Sequence, residues 1–595
     1  MQSQHGRQMP FHFSPRPNRA DLVNWREWND AAFAQAKRED KPILLAISAV
    51  WCHWCHVMDE TSYSDEPIIA LINEHYVPVR VDNDRRPDVN ARYNQGGWPT
   101  TAFLTPDGSL LAGATYLPPE QMRAALEQVE QFYKTNRAEI EQRALRIRSR
   151  ARPFEGADSQ DLQAGIITRV LQDVEANYDP EYGGFGTAPK FPMVDVLELL
   201  LQEYRAGGEQ RWYDMLARTF FGMSDNGMYD HIEGGFFRYS TTRDWSIPHF
   251  EKMTEDHAGL LRVLAGLERL TRNDRFRATL VSALGYVRTT LRDPKTRLFA
   301  GSQDADEQYY ALPLEERRAQ TAPYVDRTSY SNWTAWMAGT FFFAADALDD
   351  DRLTEEGEAT LDALHERMRD NDGLLYHYVE HHAQAVPQVR GLLTDQAAYL
   401  RALLDAHEYG GQPRFLARAR DVAAAIERRF AAEDGGFYDH ASIEENLGNL
   451  FMRDRPMPDN ASLAESFLRL WVFDDEPHYR LTAQRTLQLY AKTYERSGMF
   501  AAPYARALRR FLATPSSVIL VGSDAETADL REAAHNLPEA LLVVSTIDPQ
   551  DREALAKRGF DPKLHPVAYV CREEACAAPA LNAGDLRGAY EALTR

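Results

Sequence analysis

Ile43-Leu44-Leu45-Ala46-Ile47-Ser48-Ala49-Val50-Trp51-Cys52-His53-Trp54-Cys55-His56-Val57-Met58 decides the fold of the N-terminal quarter of this chain. Ile43 to Ser48 is a short apolar run of buried-strand type, and helical periodicity resumes after Cys52 through Met58. A strand therefore delivers a CxxC onto a helix N-terminus. There the unpaired backbone N–H groups and the helix dipole stabilise an anion, so the Cys52 thiol ionises more readily than a free one. Cys55, one turn further on, can attack a mixed disulfide at Cys52 and release the substrate. His53, if protonated, favours the thiolate further and pushes the pair toward oxidant or isomerase behaviour. Trp51, Trp54 and His56 complete the immediate surroundings. A bare CxxC is also half of a zinc site, with His53 and His56 as further ligands, or a relic pair in a structural domain. Tetrahedral sites usually draw a second ligand pair from a separate segment, and the only other cysteines, Cys571 and Cys576, lie in the last domain. A redox dithiol, with no metal, is the favoured expectation.

Working outward, Trp25, Trp28, Ala32, Phe33 and Ala36 share a helical face, so the pattern predicts a helix over Trp25 to Lys41, broken at Asp40-Lys41-Pro42. Tyr76 to Val81 is a second strand ending in Asp82-Asn83-Asp84. Gly96-Gly97-Trp98-Pro99 then precedes a strand-type run, Thr100 to Leu104, and Thr105-Pro106-Asp107-Gly108 is a hairpin turn leading to Leu110 to Ala112. This order resembles thioredoxin-like proteins, in which a cis-proline faces the dithiol and presents backbone groups to the substrate. Trp98 and Pro99 take that place here, which makes residues 21–150 a thioredoxin-like α/β domain behind a leader, residues 1–20.

With 595 residues and 44% hydrophobic content, the chain is too long for one core and divides into several domains. A formal charge of −22 argues against nucleic-acid binding, which gains from counterion release on a basic face. No run approaches the roughly 20 apolar residues of a membrane helix, and the leader lacks the apolar core of a signal peptide. Four cysteines are too few for a disulfide framework. A cytoplasmic protein is expected, of unstated oligomeric order.

From 160 to 512 turn-plus-aromatic signatures recur: Gly183-Gly184-Phe185, Gly234-Gly235-Phe236, Arg297-Leu298-Phe299, Gly373-Leu374-Leu375-Tyr376, Gly435-Gly436-Phe437 and Gly498-Met499-Phe500. Between them apolar periodicity predicts twelve helices near 162–176, 193–206, 210–224, 254–271, 275–292, 332–349, 354–369, 394–409, 414–431, 460–473, 477–495 and 503–512. Short and long connections alternate, so the long loops share one rim of an all-α (α/α)6 toroid. That rim gathers Tyr182, Lys190, Arg238, His249, Glu251, Lys252, Glu255, Asp256, Asp304, Asp306, His377, Asp395, Asp459 and Asn460. Aromatics and carboxylates around a cavity suit sugars, and Asp304 with Asp306 offers paired carboxylates for acid–base work. Asp179, Asp293 and Asp434 sit in turn contexts and are expected to be Asx-turn residues. His381-His382 is expected at a solvated helix end.

Residues 513–595 form a small α/β subdomain: strands at Val518 to Gly522, Ala540 to Ser545 and Val567 to Val570, with helices at Thr527 to Ala534 and Gln550 to Arg558. Gly522 alone is no cofactor fingerprint, and none is expected. Cys571 and Cys576 are left as a disulfide, a metal half-site or idle thiols, the last or a structural role being favoured.

Six ordered segments, Cys52-His53-Trp54-Cys55-His56-Val57-Met58, Gly96-Gly97-Trp98-Pro99, Gly183-Gly184-Phe185-Gly186-Thr187-Ala188-Pro189-Lys190-Phe191-Pro192, Pro248-His249-Phe250-Glu251-Lys252-Met253, Gln303-Asp304-Ala305-Asp306, and Tyr569-Val570-Cys571-Arg572 with Cys576, together resemble the thioredoxin-domain family related to spermatogenesis-associated protein 20. The resemblance implies a DUF255-type thioredoxin-like domain fused to a toroid similar to those of N-acylglucosamine epimerases and six-hairpin glycosidases. Two departures stand out: Trp51, where that family more often has a small polar residue, and Glu307-Gln308-Tyr309-Tyr310 in place of an acidic, Gly-rich continuation. The expected activity is a thiol–disulfide oxidoreductase with Cys52 as nucleophile, Cys55 as resolving thiol and a protein disulfide as partner, the toroid recognising substrate. The alternatives are a carbohydrate-acting epimerase or hydrolase on the long-loop rim, and a redox-sensing binding platform without catalysis.

Overall fold

The computed structural model describes residues 11–149, 161–382, 384–441, 447–573 and 575–594. It divides into two units, Met1–Phe154 with Ser442–Asp454, and Glu155–Ala441 with Arg455–Arg595.

The first unit is built on β1 (Ile43–Ser48), all six of whose residues are buried. Leu44 and Ala46 enter one core cluster while Ile43, Leu45 and Ile47 enter another, so the period-2 alternation of a strand feeds both faces of the sheet. That two-sided burial is why the run is apolar without alternation. β2 (Val77–Asp82) lies parallel on one side of β1, β3 (Thr100–Leu104) antiparallel on the other, and β4 (Leu110–Ala114) beyond β3. Helices α1 (Asp30–Glu39), α2 (His53–Glu60), α3 (Glu66–His75), α4 (Pro87–Tyr93), α5 (Pro119–Thr135) and α6 (Arg137–Ser149) complete a thioredoxin-like domain.

The helix expected from Trp25 begins only at Asp30. The Asn29 side chain accepts from the Ala32 N–H and starts it there, while Trp25 and Trp28 are drawn into the clusters on opposite sheet faces. Residues 11–20 of the expected leader also pack on the domain. Phe11 and Phe13 cover one cluster, the Ser14 N–H donates to Asp59 at 3.1 Å, and the His12 carbonyl accepts from Arg80. Arg80 and Asp59 are both buried and joined through two hydrogen bonds of 2.7 and 2.9 Å, with the Phe13 ring 4.7 Å from the guanidinium. Segment 447–454, expected as part of a toroid loop, belongs to this unit. Leu447 and Leu450 join the cluster of Trp28 and Tyr93, and the Asn449 N–H donates to the Tyr93 hydroxyl at 2.7 Å. Gly448 has φ +58°, and a Cβ there would stand 2.4 Å from that hydroxyl.

The second unit contains the expected toroid. Inner helices Val194–Gly207, Thr254–Thr271, Ser331–Leu348, Leu393–Gly410, Met457–Asp474 and Ala502–Leu512 each pack on the next, and the last packs on the first, closing a ring. Gln210–Asp225, Asp274–Tyr286, Asp351–Arg367, Pro413–Phe430 and Pro477–Gln488 lie outside their preceding inner helices, and Ala164–Asn177 packs against Ala502–Leu512. Inner helices such as Thr254–Thr271 are buried nearly all round, whereas outer ones such as Pro413–Phe430 bury one stripe. Helix 275–292 gives way to a π turn at Val287–Leu291. Helix 477–495 stops at Gln488, and a 3₁₀ stretch, Tyr494–Ala501, holds Gly498 at φ +52°.

The repeated sequence signature is a hairpin that follows an outer helix. Tyr178 bridges Phe185, Tyr229 bridges Phe236, Arg292 bridges Phe299, Arg369 bridges Leu375 and Ala431 bridges Phe437. Asp179 and Asp293 accept backbone N–H groups two and three residues on, as Asx turns do. Every long loop runs from an outer helix to the N-terminus of an inner one, which puts the long loops on one rim.

In the C-terminal part, Ser516–Val521 lies between parallel Leu542–Ile547 and antiparallel Val567–Arg572, with Ala575–Cys576 at the edge. Cys571 and Cys576 are cross-strand partners and form a disulfide. A final helix, Ala583–Thr594, was not apparent in the sequence. Among the described residues no helix is long and apolar enough to cross a membrane.

Asp59→Ala leaves the buried Arg80 without its carboxylate, and is expected to destabilise the first unit by about 3–5 kcal/mol. Urea unfolding followed by tryptophan fluorescence checks this; a loss under about 1 kcal/mol contradicts it.

Candidate functional site

Cys52 is the N-cap of α2, with φ −83° and ψ 103°. Its Sγ accepts from the Cys55 N–H at 3.2 Å, which sets the sulfur on the unpaired donors of the first turn. Cys52 and Cys55 are joined in a disulfide, so in this form they have no thiolate to offer a metal. Because Ile47 pairs with Thr100, the CxxC that follows β1 and the Trp98-Pro99 that precedes β3 emerge at the same sheet edge. Their tryptophans meet there: the Trp51 and Trp98 rings stand edge to face, centroids 5.6 Å apart, and the Trp98–Pro99 peptide is cis. Each indole is pinned, Trp51 Nε1 donating to Asp84 at 2.6 Å and Trp98 Nε1 to Asn90 at 3.1 Å. The sequence showed Asp84 only as the end of a strand, and gave no sign of Asn90.

Both cysteines are buried, at 4% and 2% exposure, whereas Trp54 beside them is 50% exposed. His53 packs edge-on to Trp54. His56 is half-buried, and burial lowers its pKa, so it is a neutral imidazole near pH 7. His12 faces it, ring centroids 5.9 Å apart, and is lowered to about 4 by burial and by His56. Neither of these two rings supplies a cation to Cys52, whose sulfur rests on the helix N–H groups.

On the toroid the rim candidates separate into distinct roles. Lys190 and Lys252 lie in the long loops and are fully buried. Lys190 donates to Asp179 at 2.8 Å and to the Gly183 carbonyl, and Lys252 to Asp230 at 2.7 Å and the Gly234 carbonyl. They are struts that tie the glycine turns to the barrel. Burial lowers Lys252 to about 8 against the pull of Asp230. Asp306 caps the short helix Glu307–Tyr310 through the Tyr309 N–H, and Asn460 holds the Phe437 backbone from both sides. His377 and Asp395 are a buried pair 2.9 Å apart, and Asp395 also accepts the Asn332 N–H. His381 is buried after strand Tyr376–Glu380, within 3.2 Å of Asp293, and not at a solvated helix end. His249 lies 3.0 Å from Glu251 and stacks on Tyr239.

A cavity of about 320 Å³ opens inside the ring. Asp195, Glu255, Asn332, Thr394, Asp459 and Pro503 line it, one from the first turn or two of each inner helix, so it faces the long-loop end. Trp336, Arg401 and Asp405 line it deeper in. Burial pushes Asp459 up to about 7 and also raises Glu255, which opens onto the cavity yet sits deep among protein atoms. Asp256, beside it, is pushed up to about 7 by burial and then by Glu255; Arg238 opposes this. Asp304 reaches about 7 chiefly through burial. Trp336 Nε1, Asn332 Oδ1, Asp256 Oδ2 and Glu251 Oε2 are buried without a protein hydrogen-bond partner. Asp195, Asn332 and Trp336 were not singled out in the sequence; their first-turn spacing relative to Glu255 and Asp459 was the available signal.

Fold and site together define a thioredoxin-like domain bearing a CxxC at a helix N-terminus, followed by an α/α toroid. Residues 16–151 match the family described as Thioredox_DsbH, "Protein of unknown function, DUF255". The chain is similar to spermatogenesis-associated protein 20: it is 25% identical to the Homo sapiens protein over 95% of this chain and 89% of that one. It is 24% identical to "Uncharacterized protein B0495.5" of Caenorhabditis elegans over 94% of this chain and 93% of that one. Among solved structures, the cellobiose 2-epimerase of Spirochaeta thermophila DSM 6192 overlaps 59% of this chain and 94% of its own, at 17% identity and a TM-score of 0.49.

An acid whose folded pKa is raised binds protons more tightly folded than unfolded, so its contribution to stability is present at low pH and is lost between about pH 4 and 7 as pH rises. Asp459→Asn is therefore expected to stabilise the toroid at pH 8 by about 1–2 kcal/mol and to give no benefit at pH 4. Thermal unfolding at the two pH values measures this; equal effects at both contradict it.

Proposed function

We propose that the chain is a thiol–disulfide oxidoreductase acting through Cys52 and Cys55. The observation that carries this is the Cys52 sulfur at the N-cap of α2, accepting the Cys55 N–H. In the reducing direction the Cys52 thiolate attacks a substrate disulfide, forms a mixed disulfide and expels one substrate thiolate. The Cys55 thiolate then attacks Cys52 Sγ, closing the bond present in this structure and releasing the second substrate thiolate. The substrate gains two electrons and the dithiol loses two. Oxidation of a substrate dithiol is the same sequence reversed, and the potential of the couple sets the direction. Trp98 and cis-Pro99 at the same sheet edge support a substrate-facing role for that loop, and a protein disulfide remains the proposed partner. The low exposure of both sulfurs favours extended or small substrates that reach past Trp54.

A second reading has a specific observation behind it. The ring cavity combines Asp459, whose carboxyl is pushed up to about 7, and the likewise raised Glu255 with the unpartnered Trp336 Nε1 and Asn332 Oδ1. Groups poised there suit general acid–base work on a polyhydroxylated ligand, which supports a carbohydrate bound in the toroid.

Cys52→Ser is expected to abolish turnover in insulin reduction or dithiol oxidation, and Cys55→Ser to accumulate a mixed disulfide visible by mass spectrometry. Unchanged turnover in Cys52→Ser removes the oxidoreductase reading and leaves the carbohydrate reading to a glycan-binding screen.

A further inference from the structure

At the opposite end of the ring from the lumen cavity lies a second, smaller one of about 110 Å³, lined by the later turns of the inner helices and by Glu539, Ala540 and Leu542 of the C-terminal part. It is crowded with arginine. Glu198 is approached by Arg262, Arg401 and Arg506, Asp405 by Arg262 and Arg469, and Glu408 by Arg469. Glu465 receives Arg506 and Arg510, and Arg269 reaches Asp346. Arg205 also lines the cavity. Its Nε donates to the Leu537 carbonyl at 3.1 Å, and among the described residues no carboxylate lies within ion-pairing distance of it.

The charge balance is therefore incomplete. Seven guanidiniums meet five carboxylates, and one of these, Asp346, is shared with His535. Glu539, which also lines the cavity, is engaged by Arg572. Buried charge without a counter-charge costs several kcal/mol, and guanidinium forks match a tetrahedral oxyanion in shape and charge. We infer that this cavity binds a phosphate-class oxyanion, held by Arg205 together with Arg269 and Arg510. Burial first, and then Arg269 and Arg510 as like charges, bring the pKa of Arg205 down to about 10 against the opposing pull of Tyr409 and Glu408. The volume accommodates one such group with a few waters. The C-terminal segment Leu537 to Leu542 then acts as the cover of the site, a role independent of the dithiol. The rival balance is the partial negative charge of the inner-helix C-termini, whose last turns carry Arg205, Arg269 and Arg510; it predicts no saturable response to phosphate.

The test uses the full-length protein at constant ionic strength. Inorganic phosphate is expected to raise the thermal midpoint in a saturable way at millimolar concentration, where chloride does not. Glycerol 3-phosphate forms the second arm: saturation by both marks a phosphoryl group as the ligand, and saturation by inorganic phosphate alone marks the free ion. Arg205→Gln is expected to weaken the response at least about tenfold, equivalent to about 1.4 kcal/mol, and to raise the midpoint in chloride, because the uncompensated charge is gone. Arg510→Gln serves the same purpose if that variant does not fold. A response that is linear in salt and equal in wild type and variant marks general salt exclusion and overturns the inference, as does no response.

Discussion

At the start of α2 the main chain has donors to spare, and the sulfur of Cys52 is placed on them. The Cys55 N–H points at that sulfur from 3.2 Å, and β1 is buried on both faces so that the turn carrying it has little freedom to shift. Much else in the first unit serves this one placement. Trp51 is tied to Asp84 and rests against Trp98, which is tied to Asn90, so the two loops that meet at the sheet edge are fixed through their indoles. Beneath α2, Asp59 and Arg80 close a buried ion pair that residues 12–14 complete with backbone groups. His56 and His12 add no charge beside it, because burial keeps both rings neutral.

The toroid obeys a different constraint. Six inner helices turn toward a common axis, and the polar groups they carry inward have to be satisfied there. At the long-loop end carboxyls face a cavity and are pushed toward neutrality by burial; at the other end arginines and carboxylates interlock. Arg401, Asp405 and Arg506 line both cavities, so one layer of charge separates them. An apolar axis would be simpler to fold. Buried ion pairs add little to stability by themselves, so packing alone does not account for so polar an axis.

Local patterns were legible in the sequence because their cause is local. The strand before Cys52 and the twelve helical segments follow from periodicity, and the hairpins after the outer helices from their glycine and aromatic residues. What could not be read depended on distant partners. Lys190 and Lys252 looked like rim cations, yet Asp179 and Asp230, 11 and 22 residues earlier in the chain, draw them into the interior. Segment 447–454 gave no sign that Tyr93, more than 350 residues away, would hold it. The cavity residues Asp195, Asn332 and Trp336 come from two helices far apart in the chain, and the arginine cluster draws one or two residues from each of five inner helices. Neither leaves a run for a sequence motif to capture.

The most direct test of the central claim is the pH dependence of alkylation at Cys52 in the reduced protein, with the modified peptide quantified by mass spectrometry. An apparent pKa at least one unit below the roughly 8.5 of a free thiol is predicted. A value of 8.5 or above would show an unactivated sulfur and contradict the account.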